Sequence, residues 1–271
     1  MIAFYRMGFS ALLLAVPLLL QKRRKIARRD LWLSLGSGLF LAVHFSAWFF
    51  SLRLTSVASS TVLVTSHPLM VLAYGYLTRG ERTSRTALAG VLVALAGAVL
   101  VGWGDFALDL RAFLGDLLAL FGGVMVTGYF LIGREVRQRM DAVAYSFLAY
   151  AAAAAVLVVA ALASGNPLTG FAPVNWWIFL GLALFPTIFG HTLFNWALRF
   201  VPASVISVNI LGEPIGASIL AWLIWRTAPP TVTLAGGLLI LAGIALFLRF
   251  HPTNEDRADN TDPHAGAHAN P

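Results

Sequence analysis

Apolar runs of membrane-spanning length recur nine times along the chain. Their approximate limits are Ile2–Leu20, Leu31–Leu52, Val57–Leu77, Thr86–Trp103, Leu114–Gly133, Val143–Ala163, Val174–Leu198, Ala203–Trp225 and Thr231–Phe250. A helix rises about 1.5 Å per residue, so roughly 17–25 residues cross the hydrocarbon core. In lipid each backbone N–H and C=O of such a run must find its partner inside the run, which a helix achieves. Charged residues are only 11% of the chain, against about 25% in a soluble domain. The expected fold class is all-α integral membrane, with nine transmembrane helices.

The basic residues orient the runs. Lys22, Arg23, Arg24, Lys25, Arg28 and Arg29 crowd the loop after the first run, which makes that loop cytoplasmic. Alternation then leaves four of the 19 basic residues, Arg6, Arg53, Arg111 and Arg226, at the outer side. The expected location is the cytoplasmic (inner) membrane, multi-pass, with a cytoplasmic C-terminus. Trp103, Trp176, Trp177 and Trp225 fall at the outer interface, and Trp32, Tyr74 and Tyr76 at the inner one. The net charge of +7 comes from these loops, so nucleic acid is not an expected partner. The first run lacks a basic leader and reads as a mature spanning helix. The tail over residues 251–271 is polar and expected to be disordered. Its His251, His264 and His268 read as a solvated tail. There is no cysteine, hence no disulfide or thiolate metal site.

One run carries an anomaly. Ala203–Trp225 holds Glu213-Pro214 near its middle. A carboxylate at mid-membrane belongs in a protein interior or a watery cavity. Pro214 has no N–H to offer the Ile210 carbonyl and interrupts the helix. An ungapped shift of 146 residues aligns 52–102 with 198–248, with 13 of 51 positions identical. Pro68 then matches Pro214, His67 matches Glu213, and Gly90 and Gly97 match Gly236 and Gly243. The chain thus divides into a first repeat over 1–102 with four helices and a second over 103–250 with five. The helix without a counterpart is Leu114–Gly133, whose partner would have preceded Met1. An odd number of helices per repeat inverts one half against the other.

The chain resembles the EamA-like branch of the drug/metabolite transporter superfamily. The likeness is carried by Ile2-Ala3-Phe4-Tyr5-Arg6, Ala47-Trp48-Phe49-Phe50-Ser51-Leu52, Ser56-Val57-Ala58-Ser59-Ser60, Pro68 and Gly80-Glu81-Arg82. Gly115-Asp116-Leu117-Leu118-Ala119-Leu120 and Glu213-Pro214, with the Gly236/Gly243 helix, complete it. The resemblance implies a ten-helix inverted-repeat (5+5) fold, here lacking its first helix, around a central substrate cavity. It implies movement of small metabolites, amino acids or drugs. Thr227 departs from the pattern, standing where the repeat counterpart of Glu81 falls.

The candidate substrate or proton pathway is drawn from the polar residues of the runs. Thr187, His191 and Asn195 share one helix face at i, i+4, i+8, and Asn209, Glu213 and Gly216 form a similar face. Glu213 suits proton coupling, since low dielectric favours the neutral acid and water the anion. His67, Thr65, Trp48 and His44 are further candidates, with Tyr129 and Tyr145 beside them. The alternative reading of each is a packing role: interhelical hydrogen bonds, a threonine bonded to its own helix, or a ring that fills space. Pro68, Pro214 and Pro186 are expected helix kinks. Arg6 is expected to snorkel outward, the alternative being contact with an anionic substrate group, and Gly212 with Gly216 to mark close helix packing.

No nucleotide loop, metal-ligand cluster or catalytic triad appears, so no cofactor, metal or enzymatic activity is expected. The expected function is secondary active transport, outward, of a small molecule by alternating access. Alternatives are a membrane-embedded enzyme or lipid-handling protein, or a non-transporting truncated remnant. The expected partners are a small-molecule substrate and the bilayer, with a second copy of the chain left open.

Overall fold

A computed structural model describes residues 1–21, 25–101, 110–165, 167–226 and 230–251. The sequence expectations for Lys22, Arg23, Arg24, Trp103, Thr227 and residues 252–271 therefore lie outside the described residues. All regular structure among the described residues is helical. The helices are α1 (Ile2–Leu20), α2 (Arg28–Ser51), α3 (Val57–Thr65), α4 (His67–Arg79), α5 (Arg85–Val101), α6 (Leu110–Arg137) and α7 (Ala142–Ala163). They continue as α8 (Pro173–Leu182), a π-helical segment (Ala183–His191), α9 (Thr192–Ala197), α10 (Ala203–Ile210), α11 (Glu213–Trp225) and α12 (Thr231–Phe250).

Each apolar run coincides with one or more of these elements. Seven stretches are long and apolar enough to span a membrane among the described residues, against the nine expected. The two outside that set are the third and fourth runs. The third is divided at Ser66 into helices of 9 and 13 residues, and the fourth is a helix of 17.

Local chemistry sets several ends. Ser56 caps α3 by accepting from the Ser59 N–H, and Asp141 caps α7 by accepting from the Ala144 N–H, both at 3.0 Å. Gly80, at φ 63°, ends α4 in the left-handed region open to glycine, and the Glu81 N–H reaches back to the Gly75 carbonyl. His67 opens α4 and Glu213 opens α11, each followed at once by a proline. There the missing N–H costs nothing, because first-turn donors have no intrahelical acceptor. The interruption therefore falls at the same place in both aligned segments. It is one residue long in the first, at Ser66, and two in the second, at Leu211 and Gly212.

The chain forms two compact units, and each takes helices from both halves of the sequence. The first comprises Met1–Val71 and Gly104–Ser207, the second Leu72–Trp103 and Val208–Pro271. In the first unit, α2 packs on α6 and α7, α1 on α7 and the π segment, and α3 on α6. Asp116 fastens this unit near one end: its Oδ1 accepts from Thr55 Oγ1 at 2.7 Å and from Ser59 Oγ at 2.6 Å. The two family motifs holding Ser59 and Asp116 are thereby joined. At another end Asp30 accepts from Arg139 Nε and Nη2 at 2.9 and 2.7 Å, while Glu135 pairs with Arg29.

In the second unit, α5 crosses α12 on glycine. A Cβ on Gly97 would sit 2.6 Å from the Gly236 carbonyl oxygen, and one on Gly90 would sit 2.7 Å from that of Gly243. The sequence shift equates Gly90 with Gly236 and Gly97 with Gly243. Each glycine thus meets the counterpart of the other, the reciprocal pattern of a two-fold contact. Gly212 and Gly216 do not pack this way, contrary to expectation. Nothing lies within 4 Å of a Cβ built on Gly216, and Gly212 lies near only Asn209 and Ile244. Spacing alone marked that pair; the close approach instead uses the glycines of the long, uninterrupted helices.

Candidate functional site

The π segment decides the geometry of the first unit's interior. A π turn widens the helix and leaves carbonyls short of intrahelical donors, and such segments recur at functional sites. Here Pro186 removes one further N–H. Side chains supply the missing donors. Thr187 Oγ1 donates to the Leu182 carbonyl at 3.0 Å and Thr192 Oγ1 to the Thr187 carbonyl at 3.1 Å. From α1, Ser10 Oγ donates to the Ala183 carbonyl at 3.2 Å. Arg6 Nε donates to Thr187 Oγ1 at 2.7 Å, and Arg6 Nη2 to the Pro186 carbonyl at 3.5 Å. The Arg6 guanidinium also lies 4.7 Å from the centre of the Phe45 ring. Arg6 is buried, so the outward snorkel expected from its position near a helix end is overturned. The acceptors of the π segment draw it inward.

Thr187, His191 and Asn195 all turn into this interior, although the π segment changes the pitch between them. Asn195 is fully buried and gathers three side chains around it. Its Nδ2 donates to Tyr129 Oη at 2.6 Å and Ser146 Oγ at 2.9 Å, with Tyr150 Oη 3.4 Å away. Tyr150 meets Thr192 Oγ1 at 3.1 Å, and Tyr145 meets Ser37 Oγ at 2.6 Å. Arg137, at the end of α6, is buried and donates from Nε to the Asn195 carbonyl at 2.8 Å. Tyr150, Ser146, Ser37 and Arg137 were not singled out in the sequence. Only their depth within apolar runs, or for Arg137 its position at a helix end, hints at them.

A surface of rings adjoins this network. His191 faces Phe45 and Tyr129 at 6.1 Å each and Phe130 at 6.4 Å. His67 lies 5.8 Å from Phe130, and His44 stacks on Trp48 at 5.8 Å. His44 Nδ1 is 2.9 Å from the Gly122 carbonyl, and His67 Nδ1 is 3.3 Å from the Val64 carbonyl. A carbonyl only accepts, so both rings carry the proton on Nδ1. Among the described residues His67 Nε2, His191 Nδ1 and Trp48 Nε1 are buried without a hydrogen-bond partner. Each such group costs about 1–3 kcal/mol if left unpaired. His67, His44, Trp48, His191 and Asn195 therefore share the interior of one unit. Thr65 is buried as well, but its hydroxyl donates to the Thr61 carbonyl of its own helix at 2.7 Å, which is its packing reading.

Asn209, Glu213 and Pro214 belong to the second unit. Glu213 occupies the first turn of α11. Its side is exposed. The same unit holds a cavity of about 650 Å³ between α11 and α12, lined by Ile215, Ser218, Trp222, Thr233, Leu234 and Leu238 among others. That lining is almost wholly apolar.

The model of the EamA-like transporter family matches residues 1–103 and 113–249. The chain belongs to the EamA-like transporter family. It is 29% identical over 256 residues to an uncharacterized transporter of Archaeoglobus fulgidus, covering 89% of this chain and 86% of that protein. It is 25% identical over 249 residues to the pseudopaline exporter CntI of Pseudomonas aeruginosa, covering 90% and 84%. A solved crystal structure superposes with a TM-score of 0.78 at 19% identity, covering 91% of this chain and 87% of that one, which shows the fold. This EamA-like protein is a multi-pass membrane protein whose named relatives are transporters, one of them an exporter.

Proposed function

We propose that this EamA-like protein is a secondary transporter that moves a small organic molecule outward across the cytoplasmic membrane by alternating access. The observation that carries the reading is the buried polar and ring-lined interior of the first unit. Its three unpartnered ring nitrogens sit at the depth of spanning helices. A protein with no ligand to serve gains nothing from such groups in a membrane. Support comes also from the paired helix breaks at His67-Pro68 and Glu213-Pro214 and from the reciprocal glycine contact of α5 and α12. Both fit two inverted repeats over 1–102 and 103–250, with the C-terminus cytoplasmic. The exporter among the relatives supports outward direction.

In this reading His191, His67, His44, Trp48 and Asn195 line the substrate path, and Asn209 and Glu213 carry the coupling proton. Glu213 loads a proton from one side and releases it to the other as access alternates. Purified protein in proteoliposomes under an imposed pH gradient tests this, using labelled amino acids, carboxylates and amines as a panel. Proton-driven flux of at least one solute is expected, and its dependence on the gradient vanishes in Glu213→Gln. Gradient-driven flux of equal size in that variant eliminates the coupling role.

A further inference from the structure

The cavity of the second unit is a space that its own helices leave unfilled. On α11 it is lined by Ile215, Ser218, Ile219 and Trp222, one helix face at i, i+3, i+4 and i+7. On α12 the lining runs from Thr233 to Leu241. A glycine keeps it open. A Cβ built on Gly237 meets only Ile215 Cγ1, at 3.7 Å, whereas the adjacent Gly236 is closed off by α5.

Length is the first clue to an occupant. At about 1.5 Å per residue, Ile215–Trp222 and Thr233–Leu241 each cover about 10–12 Å along their helices. That is most of one leaflet's share, about 15 Å, of a hydrocarbon core about 30 Å thick. Width is the second clue. Two turns of a helix 10–12 Å across fill on the order of 1,000 Å³. The cavity offers about 650 Å³, too little for a helix of a second copy and enough for a file of methylenes. Polarity is the third. Ser218 Oγ donates to the Pro214 carbonyl at 2.8 Å, so its proton is already placed. Ile219, Trp222, Leu234, Leu238 and Leu241 are each about half exposed or more, so the groove opens outward along its length.

One end of the groove carries charge. The chain passes from α11 to α12 at the end marked by Trp222 and Thr233, and Arg226 lies there, its N–H donating to the Trp222 carbonyl at 2.8 Å. Arg226 is exposed, and at φ 57° it is the one non-glycine in the left-handed region among the described residues. Such backbone persists where its surroundings over-determine it, ligand clamps included. A guanidinium matches phosphate in charge and in its paired donors, and tryptophan favours the depth of lipid headgroups.

We propose that the groove between α11 and α12 binds one phospholipid, with an acyl chain against Gly237 and the phosphate at Arg226. The site lies wholly in the second unit and stands independently of the transport reading.

Titrating the full chain in detergent with phosphatidylglycerol tests this, with bound lipid counted by native mass spectrometry. The wild type is expected to take up one lipid at concentrations several-fold below those that add more. Gly237→Phe fills the groove and should lose that first lipid. Gly36→Phe adds the same bulk to α2 in open space and should keep it. Arg226→Gln should weaken it several-fold. Equal uptake of the first lipid by wild type and Gly237→Phe overturns the proposal. So does a wild-type dimer that Gly237→Phe dissolves, since a second copy would then occupy the groove. Unchanged affinity in Arg226→Gln overturns the place given to the phosphate. Should Gly237→Phe not fold, Ile219→Trp on the open side narrows the same groove and decides by the same loss or retention.

Discussion

Replacing Gly97 by alanine should push α5 and α12 apart. The new Cβ would lie 2.6 Å from the Gly236 carbonyl oxygen and 2.8 Å from the Ile240 amide nitrogen. Both obstructions are backbone, so no rotamer change relieves them, and the helices must separate locally. Overpacking of this kind costs about 1–3 kcal/mol. The substitution also removes a helix-interior glycine, which returns about 0.5–1 kcal/mol. The net expectation is a loss of about 1–2 kcal/mol. Gly36 in α2 is the control, because nothing lies within 4 Å of its built Cβ. Gly36→Ala should gain the helix term alone, so the two variants should differ by the overpacking cost, about 1–3 kcal/mol. Reversible unfolding in mixed micelles of rising SDS fraction, followed by tryptophan fluorescence and circular dichroism, reads the difference. The contact is reciprocal, so Gly236→Ala should cost about as much as Gly97→Ala: its Cβ meets the Gly97 carbonyl oxygen at 2.7 Å. The double variant should cost less than the sum, because both methyls open one gap. Gly97→Ala as stable as Gly36→Ala would refute the reasoning.

Asn195→Leu should lower stability by about 2–4 kcal/mol in the same assay, since the change strands Tyr129 and Ser146 hydroxyls beyond the loss of their bonds. A cost under about 0.5 kcal/mol would mean the network contributes only shape. Gly123→Ala should disturb the ring surface more than Gly122→Ala. Its Cβ falls 3.1 Å from the Val64 carbonyl oxygen that holds His67, against 3.5 Å from the nearest atom at Gly122. The His67 ring signals in a labelled sample should shift in the first variant and hold in the second. Asp116→Asn should loosen the joint between the α2–α3 loop and α6, seen as faster amide exchange over residues 52–60 with little change in α7.

The break points of the helices were legible in the sequence because proline leaves a backbone signature wherever it stands. His67-Pro68 and Glu213-Pro214 could be located, paired by the 146-residue shift, and found at the starts of α4 and α11. Much of the first unit's interior was legible too, since His44, His67, His191 and Asn195 are expensive residues to place in lipid. Arg6 was misread and Arg137 passed over for one reason. An arginine near a run's end has two ways to satisfy its donors, water or buried carbonyls. The sequence does not record that a π segment leaves carbonyls free beside Arg6, or that the Asn195 carbonyl waits for Arg137.

Length, apolarity and proline by themselves determined that this chain makes membrane-spanning helices and where two of those helices are interrupted. These depend on each residue's own cost in lipid, which is local. Which helices touch was decided only in three dimensions. Lipid is as apolar as leucine, so burying an apolar face against a neighbour gains little, and partners are chosen by shape and hydrogen bonds. Gly212 and Gly216 had the right spacing and no backbone from outside their own run within 4 Å of their built Cβ atoms, while Gly90, Gly97, Gly236 and Gly243 found each other across α5 and α12.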